Sequence, residues 1–383
     1  MDRKVGICAV AQTAWVRRNT TQRVQGMAWE VVQALLEQTS LDFSEQGGID
    51  TVVSVSDDLY DARTISDNAM TDVLGAHYRC EEKVAQDGAQ AVYYATAAIL
   101  SGHTDVVMVV GHCKESQAES RNQITHLTFD PFYTRPLGLD GVAAAALQAR
   151  AYMASSYLTD QHLAQVVARA RRLAAQNPRH PENRTVTEEE VRSSPLLADP
   201  LRELHCYPVS DGAVGLLLAS EERAHSLCQR PVWVTGVGNS MDSFFLGERE
   251  LHRSEALRRA AQRAYRRAGL SEPAPAFDLV EVSDPFAHQQ PMWLEGLGLC
   301  PETRGGRFVE EGGLDRLHVN LSGGTLAGCP LLLGGLARVA EAALQLAGQA
   351  GAGRQLPDPR RALAHGVTGP AGQHHSVVIL ERA

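Results

Sequence analysis

The sequence predicts an α/β protein of two similar halves with an inserted loop domain. Three observations carry that expectation. Residues 88–100 are almost all small or apolar, with Tyr93 and Tyr94 the only aromatics, so a helix there has no polar face and is buried on all sides. Residues 105–111 (DVVMVVG) are the continuous β-branched run of a strand covered on both faces. The same order of strand, glycine-marked loop and small-residue helix returns after Pro231, as a duplicated unit would require.

Residues 4–11 (KVGICAVA) read as the first strand, and Val24, Ala28, Val31, Val32, Leu35 and Leu36 give 23–38 helical spacing. A strand at 50–56 and a helix at 66–77 precede the buried helix, which stops at Ser101-Gly102. From 117 to 208 the texture changes. Residues 129–136 (FDPFYTRP) are a loop, 141–157 and 160–176 are helices, and 187–190 (TEEE) open a short helix with acids in its first turn. Residues 209–220 (VSDGAVGLLLAS) return to a buried strand. The second half has expected strands at 233–237, 277–282, 318–322 (ending in Gly323-Gly324), 362–365 and 376–380, and helices at 254–268, 291–297 and about 327–347. The division is therefore 1–228, holding the insertion at 119–208, and 229–383.

Composition narrows the function. A net charge of -9 without a basic run argues against nucleic acid. Seven scattered cysteines without a CxxC pair point to a reducing compartment, and to neither a disulfide framework nor a metal knuckle. No apolar run approaches the roughly 20 residues needed to cross a bilayer, and no signal-peptide core follows the start. A cytoplasmic protein with no membrane partner and no metal is expected. GVG at 236–238 is an incomplete dinucleotide fingerprint, and Walker, HExxH and GxSxG patterns are absent.

Chemistry belongs at the carboxyl edge of such a sheet, where Ala85, Gln86 and Asp87 precede the buried helix and His112, Cys113 and Lys114 end its strand. Asp87 reads first as a helix cap. Cys113 is either a small buried hydrophobe or a thiol activated by the adjacent histidine or lysine. His365 ends a buried strand and needs a partner. His374 and His375 alternate across a strand, so at most one points inward. Arg135, Arg169, Arg171 and Arg172 read as solvated positions, or as phosphate contacts.

Five stretches in order resemble the thiolase superfamily, most of all its sterol-carrier-type branch: the helix and SGxxD strand of 88–111, VSDGAVGLLLASEERA at 209–224, LVEVSDPFAHQQPMWLEGLGLC at 279–300, VNLSGGTLAGCP at 319–330, and the glycine-rich segment before the last strand. The resemblance implies an αβαβα sandwich acting on acyl-CoA thioesters by Claisen condensation or its thiolytic reverse. Coenzyme A is then a substrate, and no bound cofactor is expected. The family's catalytic set is largely replaced. The acyl-accepting cysteine falls on Ala85, the His-Asp-Cys-Phe motif on Ser283-Asp284-Pro285-Phe286, and the Gly-His-Pro motif on Gly328-Cys329-Pro330. Asn320, Gly323 and Gly324 survive as oxyanion or framing residues, with Ser283 and Asp284 beside them.

The candidate catalytic set is therefore Cys113, Cys329, His365 and His375. Cys329 is either packing ahead of Pro330 or a proton-transfer thiol. The resemblance also implies a homodimer paired through DVVMVVG, and SDPFAHQQ with the GQHH tail is similar to thiolase-like proteins that bind a small zinc-ribbon/OB-fold subunit. The leading expectation is thiolysis or acyl transfer on a β-ketoacyl-CoA through a relocated cysteine. Its alternatives are retro-aldol cleavage of a β-hydroxyacyl-CoA, which needs no acyl-enzyme, and a non-catalytic acyl-CoA-binding or structural subunit.

Overall fold

The computed structural model describes residues 3–44, 48–61 and 65–382. Nine strands form one mixed sheet: β1 (Val5–Gln12), β2 (Thr51–Val55), β3 (Cys80–Val84), β4 (Val106–Lys114), β5 (Asp211–Ser220), β6 (Val232–Met241), β7 (Leu279–Val282), β8 (Arg361–Thr368) and β9 (His374–Arg382). Their order is β3-β2-β4-β5-β1-β6-β9-β8-β7. The sheet reads alike outward from its β1–β6 seam, where Gly6 faces Trp233 and Ile7 faces Val232. On one side β1, β5 and β4 are antiparallel and β2 and β3 continue in parallel. On the other side β6, β9 and β8 are antiparallel and β7 continues in parallel.

Two helices, α2 (Gly88–Leu100) and α8 (Gly334–Ala347), pack on each other and touch strands from both sides of the seam. Outside the first set of strands lies α1 (Val24–Thr39); outside the second lie α6 (Glu255–Arg267) and α7 (Gln289–Gly296). Between the strand sets chain-to-chain approach is close. A Cβ on Gly88 would stand 2.4 Å from Leu336 Cβ, and one on Gly111 would stand 2.6 Å from Leu333 Cδ2. These two glycines let α8 seat against α2 and β4. The intervening segment supplies α3 (Arg121–His126), α4 (Gly141–Ser156) and α5 (Asp160–Ala174).

Several sequence expectations need correction. Residues 318–322 form a turn, with His318 and Asn320 at φ 46° and 50° and only Val319 bridging Val280. The reason is local: Asn320 Oδ1 accepts from Val282 N at 2.6 Å and its Nδ2 donates to Val282 O at 3.0 Å, so one side chain does the work of a strand. The helix expected near 327–347 starts only at Gly334, after 3-10 turns at Thr325–Ala327 and Leu331–Leu333. Residues 66–77 give a 3-10 turn and one short helical turn, ended by Gly75 at φ 63°. The strand β3 escaped notice because CEEKV is an edge strand with much of its surface in solvent. Conversely, β4 lies between β2 and β5, so DVVMVVG has no open edge with which to pair across a dimer axis; the open edge belongs to β3. Among the described residues no helix is long and apolar enough to cross a membrane.

Candidate active site

The carboxyl ends of β2, β3, β7 and β8 open into one cavity of about 240 Å³. Its wall takes Asp57 and Tyr60 from the loop after β2, Ala85 from the link between β3 and α2, and Arg121 and Thr125 from α3. Val142, Tyr207, Phe286, Leu331, Leu332 and the 368–372 turn between β8 and β9 close it. Ala85 is thus a wall residue, and no cysteine lines the cavity among the described residues.

The polar part of this wall is a phenol pair with a cation. Tyr60 and Tyr207 are 7% and 2% exposed, and their hydroxyls have only each other as hydrogen-bonding neighbours. The Arg121 guanidinium lies 4.0 Å from the centre of the Tyr207 ring, and its Nη1 donates to Tyr207 O at 2.7 Å. Behind them Glu115 is buried and accepts from Ser210 N and Leu331 N, each at 3.1 Å. Burial pushes its carboxyl up to about 7. Burial also pushes both phenols up, and the negative charge of Glu115 adds to the effect, so both stay protonated donors.

The cysteines expected to act lie elsewhere. Cys113 and Cys329 are 1% and 0% exposed and share the core cluster around α2 and α8, outside the cavity wall. Burial raises the Cys113 thiol well above its ordinary range, and the nearby carboxylates Glu115, Asp61 and Asp57 raise it further. That setting opposes a thiolate. Its sequence neighbours give no help, because Lys114 Nζ donates to Gln22 O at 2.7 Å and His112 lies 3.9 Å from Asp61. Burial likewise raises Cys329.

His365 and His375 come together, but not with the cysteines. They share a face with Leu363, Val367 and Val377 in the cluster under α6 and α7, whereas Ala362 and Ala364 face the central helices. His375 Nε2 is 2.9 Å from Gly372 O, which only accepts, so that nitrogen carries the proton. Its Nδ1 then accepts from His365 Nε2 at 2.9 Å. Ser254 Oγ adds a contact at 3.0 Å, and Trp293 lies edge-on to His375. Burial lowers His365 to about 3 and holds His375 well below the ordinary histidine range. The pair is a neutral brace behind the 368–372 turn.

The framing residues are brought together and satisfied internally. Asp284 Oδ1 accepts from Thr325 N and Oδ2 from Gln290 Nε2, both at 2.7 Å, and burial pushes this carboxyl up to about 6. Ser283 Oγ is 3.3 Å from Thr325 Oγ1. Gly324, at φ 72°, leaves no room for a Cβ, which would stand 2.5 Å from Asp284 Oδ1; Gly323 sits at φ 100°. None of Asn320, Gly323, Gly324, Ser283 or Asp284 lines the cavity. Asp87 is a cap, accepting from Ala89 N and also from Gly335 N, both at 2.8 Å, which ties α2 to α8. Arg169 and Arg171 are buried rather than solvated, and donate to Val319 O and Ala327 O.

Sequence reasoning missed Tyr60, Tyr207 and Arg121. They belong to no motif and lie far apart in the chain; only the fold joins them.

A family model described as thiolase C-terminal domain-like matches residues 238–382. The acetyl-CoA acetyltransferase of Methanothermobacter thermautotrophicus is 32% identical over 297 residues, covering 76% of each chain. The 17-hydroxy-3-oxo-4-pregnene-20-carboxyl-CoA lyase of Mycobacterium tuberculosis is 28% identical over 350 residues, covering 86% of this chain and 88% of that one. Among solved structures, the Ltp2-ChsH2(DUF35) aldolase superposes with a TM-score of 0.80 at 23% identity, covering 99% of this chain and 97% of that chain. A monomeric SCP2-thiolase-like protein from Mycobacterium smegmatis gives 0.74 at 19% identity, covering 98% and 76%.

Proposed function

The chain belongs to the thiolase superfamily, and from that premise we propose that it is an acyl-CoA carbon–carbon lyase cleaving a β-hydroxyacyl-CoA by a retro-aldol step. One observation carries the reading: Ala85 stands in the cavity wall where the family's cysteine is expected, and no thiol lines that wall among the described residues. An acyl-enzyme needs a nucleophile at the site; retro-aldol cleavage does not. It needs a base for the β-hydroxyl and stabilisation of an enolate.

Asp57 is the one carboxylate among the described lining residues. In the proposed step it takes the β-hydroxyl proton, the C–O bond becomes C=O, and the Cα–Cβ bond breaks. The electron pair moves into the thioester enolate, and the proton returns to Cα. The products are a shorter acyl-CoA and a free ketone or aldehyde. The apolar side of the wall, including Val142, Phe286, Leu331 and Leu332, suits a compact hydrophobic acyl group. The lyase relative at 28% identity supports the same chemistry. A homodimer, and a small zinc-ribbon/OB-fold subunit that contributes to acyl-CoA binding, are part of the proposal.

The test offers the protein a β-hydroxyacyl-CoA, or a β-ketoacyl-CoA with free coenzyme A, each with and without a co-expressed small subunit. Cleavage of the first, no thiolysis of the second, no acyl adduct by intact mass and full activity of Cys113→Ala are expected. Thiolysis with an adduct mapped to Cys113 or Cys329 would overturn the reading. Failure to turn over either substrate, even with the subunit, would leave a non-catalytic role.

A further inference from the structure

We infer that the hydroxyls of Tyr60 and Tyr207 form the oxyanion site of this protein, donating to the thioester oxygen as it becomes an enolate. The inference rests on the acyl-CoA reading above for its ligand, but not on carbon–carbon cleavage.

Tyr60 and Tyr207 line one cavity and their buried hydroxyls meet only each other, which leaves one of the two protons without an acceptor; that is unusual, because buried polar groups are nearly always satisfied. A site whose donors await a ligand has that appearance. Several other donors on the wall are committed. Thr125 Oγ1 donates to Asn122 O, Thr128 Oγ1 donates to Thr125 O, and the Gln289 amide donates to Gln148 Oε1. Gln289 leaves only an acceptor open. The surviving family residue Asn320 is spent on Val282, so the usual framing turn has no such donor to offer.

The chemistry of the pair suits an anion. Each phenol is held in its neutral, donating form by burial and by Glu115. Arg121, stacked on Tyr207, places a positive charge beside them. Preorganised donors of this kind favour the charge that develops in a transition state more than the ground-state carbonyl. Glu115 has both oxygens on backbone N–H groups, and so is a positioning residue that fixes the walls carrying Ser210 and Leu331.

The decisive assay is exchange of the α-hydrogens of propionyl-CoA in D2O, which needs an enolate but no carbon–carbon cleavage. In exchange, Cα–H breaks, its electrons move to the thioester oxygen, the proton passes to a carboxylate of the wall, and a solvent deuteron returns to Cα. Tyr60→Phe and Tyr207→Phe should each slow exchange about 100-fold or more, with propionyl-CoA binding little changed. Both variants should melt close to the parent protein, since the only partner each hydroxyl loses is the other phenol. Tyr94→Phe, at an exposed position on α2, is the control. No exchange by the parent protein, or exchange at parental rate in both variants, would overturn the assignment. Phenol-dependent exchange without cleavage of any β-hydroxyacyl-CoA would uphold it while rejecting the lyase reading; cleavage at parental rate in both variants would do the reverse.

Discussion

Arg338→Met tests how the surviving family segment is held. Arg338 is 1% exposed and Glu281 fully buried, with Nη1 and Oε2 3.1 Å apart. Glu281 also takes the Ser322 hydroxyl at 2.7 Å and the Ser322 N–H at 3.2 Å, which anchors the Asn320–Gly324 turn to β7. Burial already pushes Glu281 up to about 7 although Arg338 pulls it down. Methionine keeps the stem and removes the charge, leaving a buried carboxyl uncompensated. Breaking such a pair costs about 3–5 kcal/mol, a large share of a total stability of about 5–15 kcal/mol. Adding Glu281→Gln should recover most of the loss, because the orphaned charge disappears. The pH dependence has a definite sign. A carboxyl raised in the folded state contributes stability below its unfolded value near 4.5 that is lost as pH rises through the folded value. The single variant raises Glu281 further, so its deficit should be larger at pH 8 than at pH 5. Urea unfolding of the parent, both single variants and the double variant, followed by tryptophan fluorescence, measures all of this. A single variant within about 1 kcal/mol of the parent, a double variant no better than the single, or a deficit flat in pH would refute the reasoning.

Two further outcomes are expected. Ala85→Cys places a thiol in the cavity wall just ahead of the α2 N-terminus, a setting that lowers thiol pKa; peptide mapping should show it alkylated by iodoacetamide well before Cys113 or Cys329, and equal rates would mean that Ala85 does not open onto the site. His288 is buried, lowered to about 3 by burial, and bonded through Nε2 to Gln148 Oε1. A depressed histidine contributes stability above its unfolded value near 6.5 that is lost as pH falls, so the parent should lose about 2 kcal/mol relative to His288→Gln between pH 7 and pH 5; unfolding curves that move in parallel would contradict this.

What the sequence disclosed follows from how strongly burial constrains residue type. Strand β4 was legible because burial on both faces admits almost no polar residue; α2 was legible from the same kind of composition, but the burial expected on all its sides is incomplete, since Tyr94 and Leu100 are exposed. The edge strand β3 was not, since CEEKV only has to satisfy its neighbour β2 on one flank. The segment 318–322 misled because the side chain of Asn320 supplies bonds that a strand would make, which no hydropathy pattern records. Arg169 and Arg171 misled in the opposite way: charged residues on a helix read as solvated, yet their guanidinium groups reach buried carbonyls. Ala85 was placed by counting along the motif, and the cavity does include it. His365 was expected to end a buried strand and need a partner, and finds one in His375. Of His374 and His375 at most one was expected to point inward, but the sheet is covered on both faces and both are buried. Strand alternation puts His365 and His375 on the far face of the sheet from Cys113 and Cys329.

The perturbed carboxyls show why titration alone misidentifies a site in this fold. Asp87 and Glu115 are raised to about 7, and Asp284 to about 6, chiefly by burial, and such shifts are a common sign of active-site groups. Yet each is bound by backbone N–H groups that fasten one wall to another: α2 to α8, the Ser210 segment to Leu331, and Asp284 to the turn at Thr325. Their oxygens are occupied, so their shifts report construction. Tyr60 and Tyr207 present the opposite case: their hydroxyls meet only each other, which leaves hydrogen-bonding capacity that the folded chain does not fill. In the proposed lyase reading the groups that act on substrate are Asp57 and the two phenols of the cavity wall, while the buried cysteines and the paired histidines hold the fold.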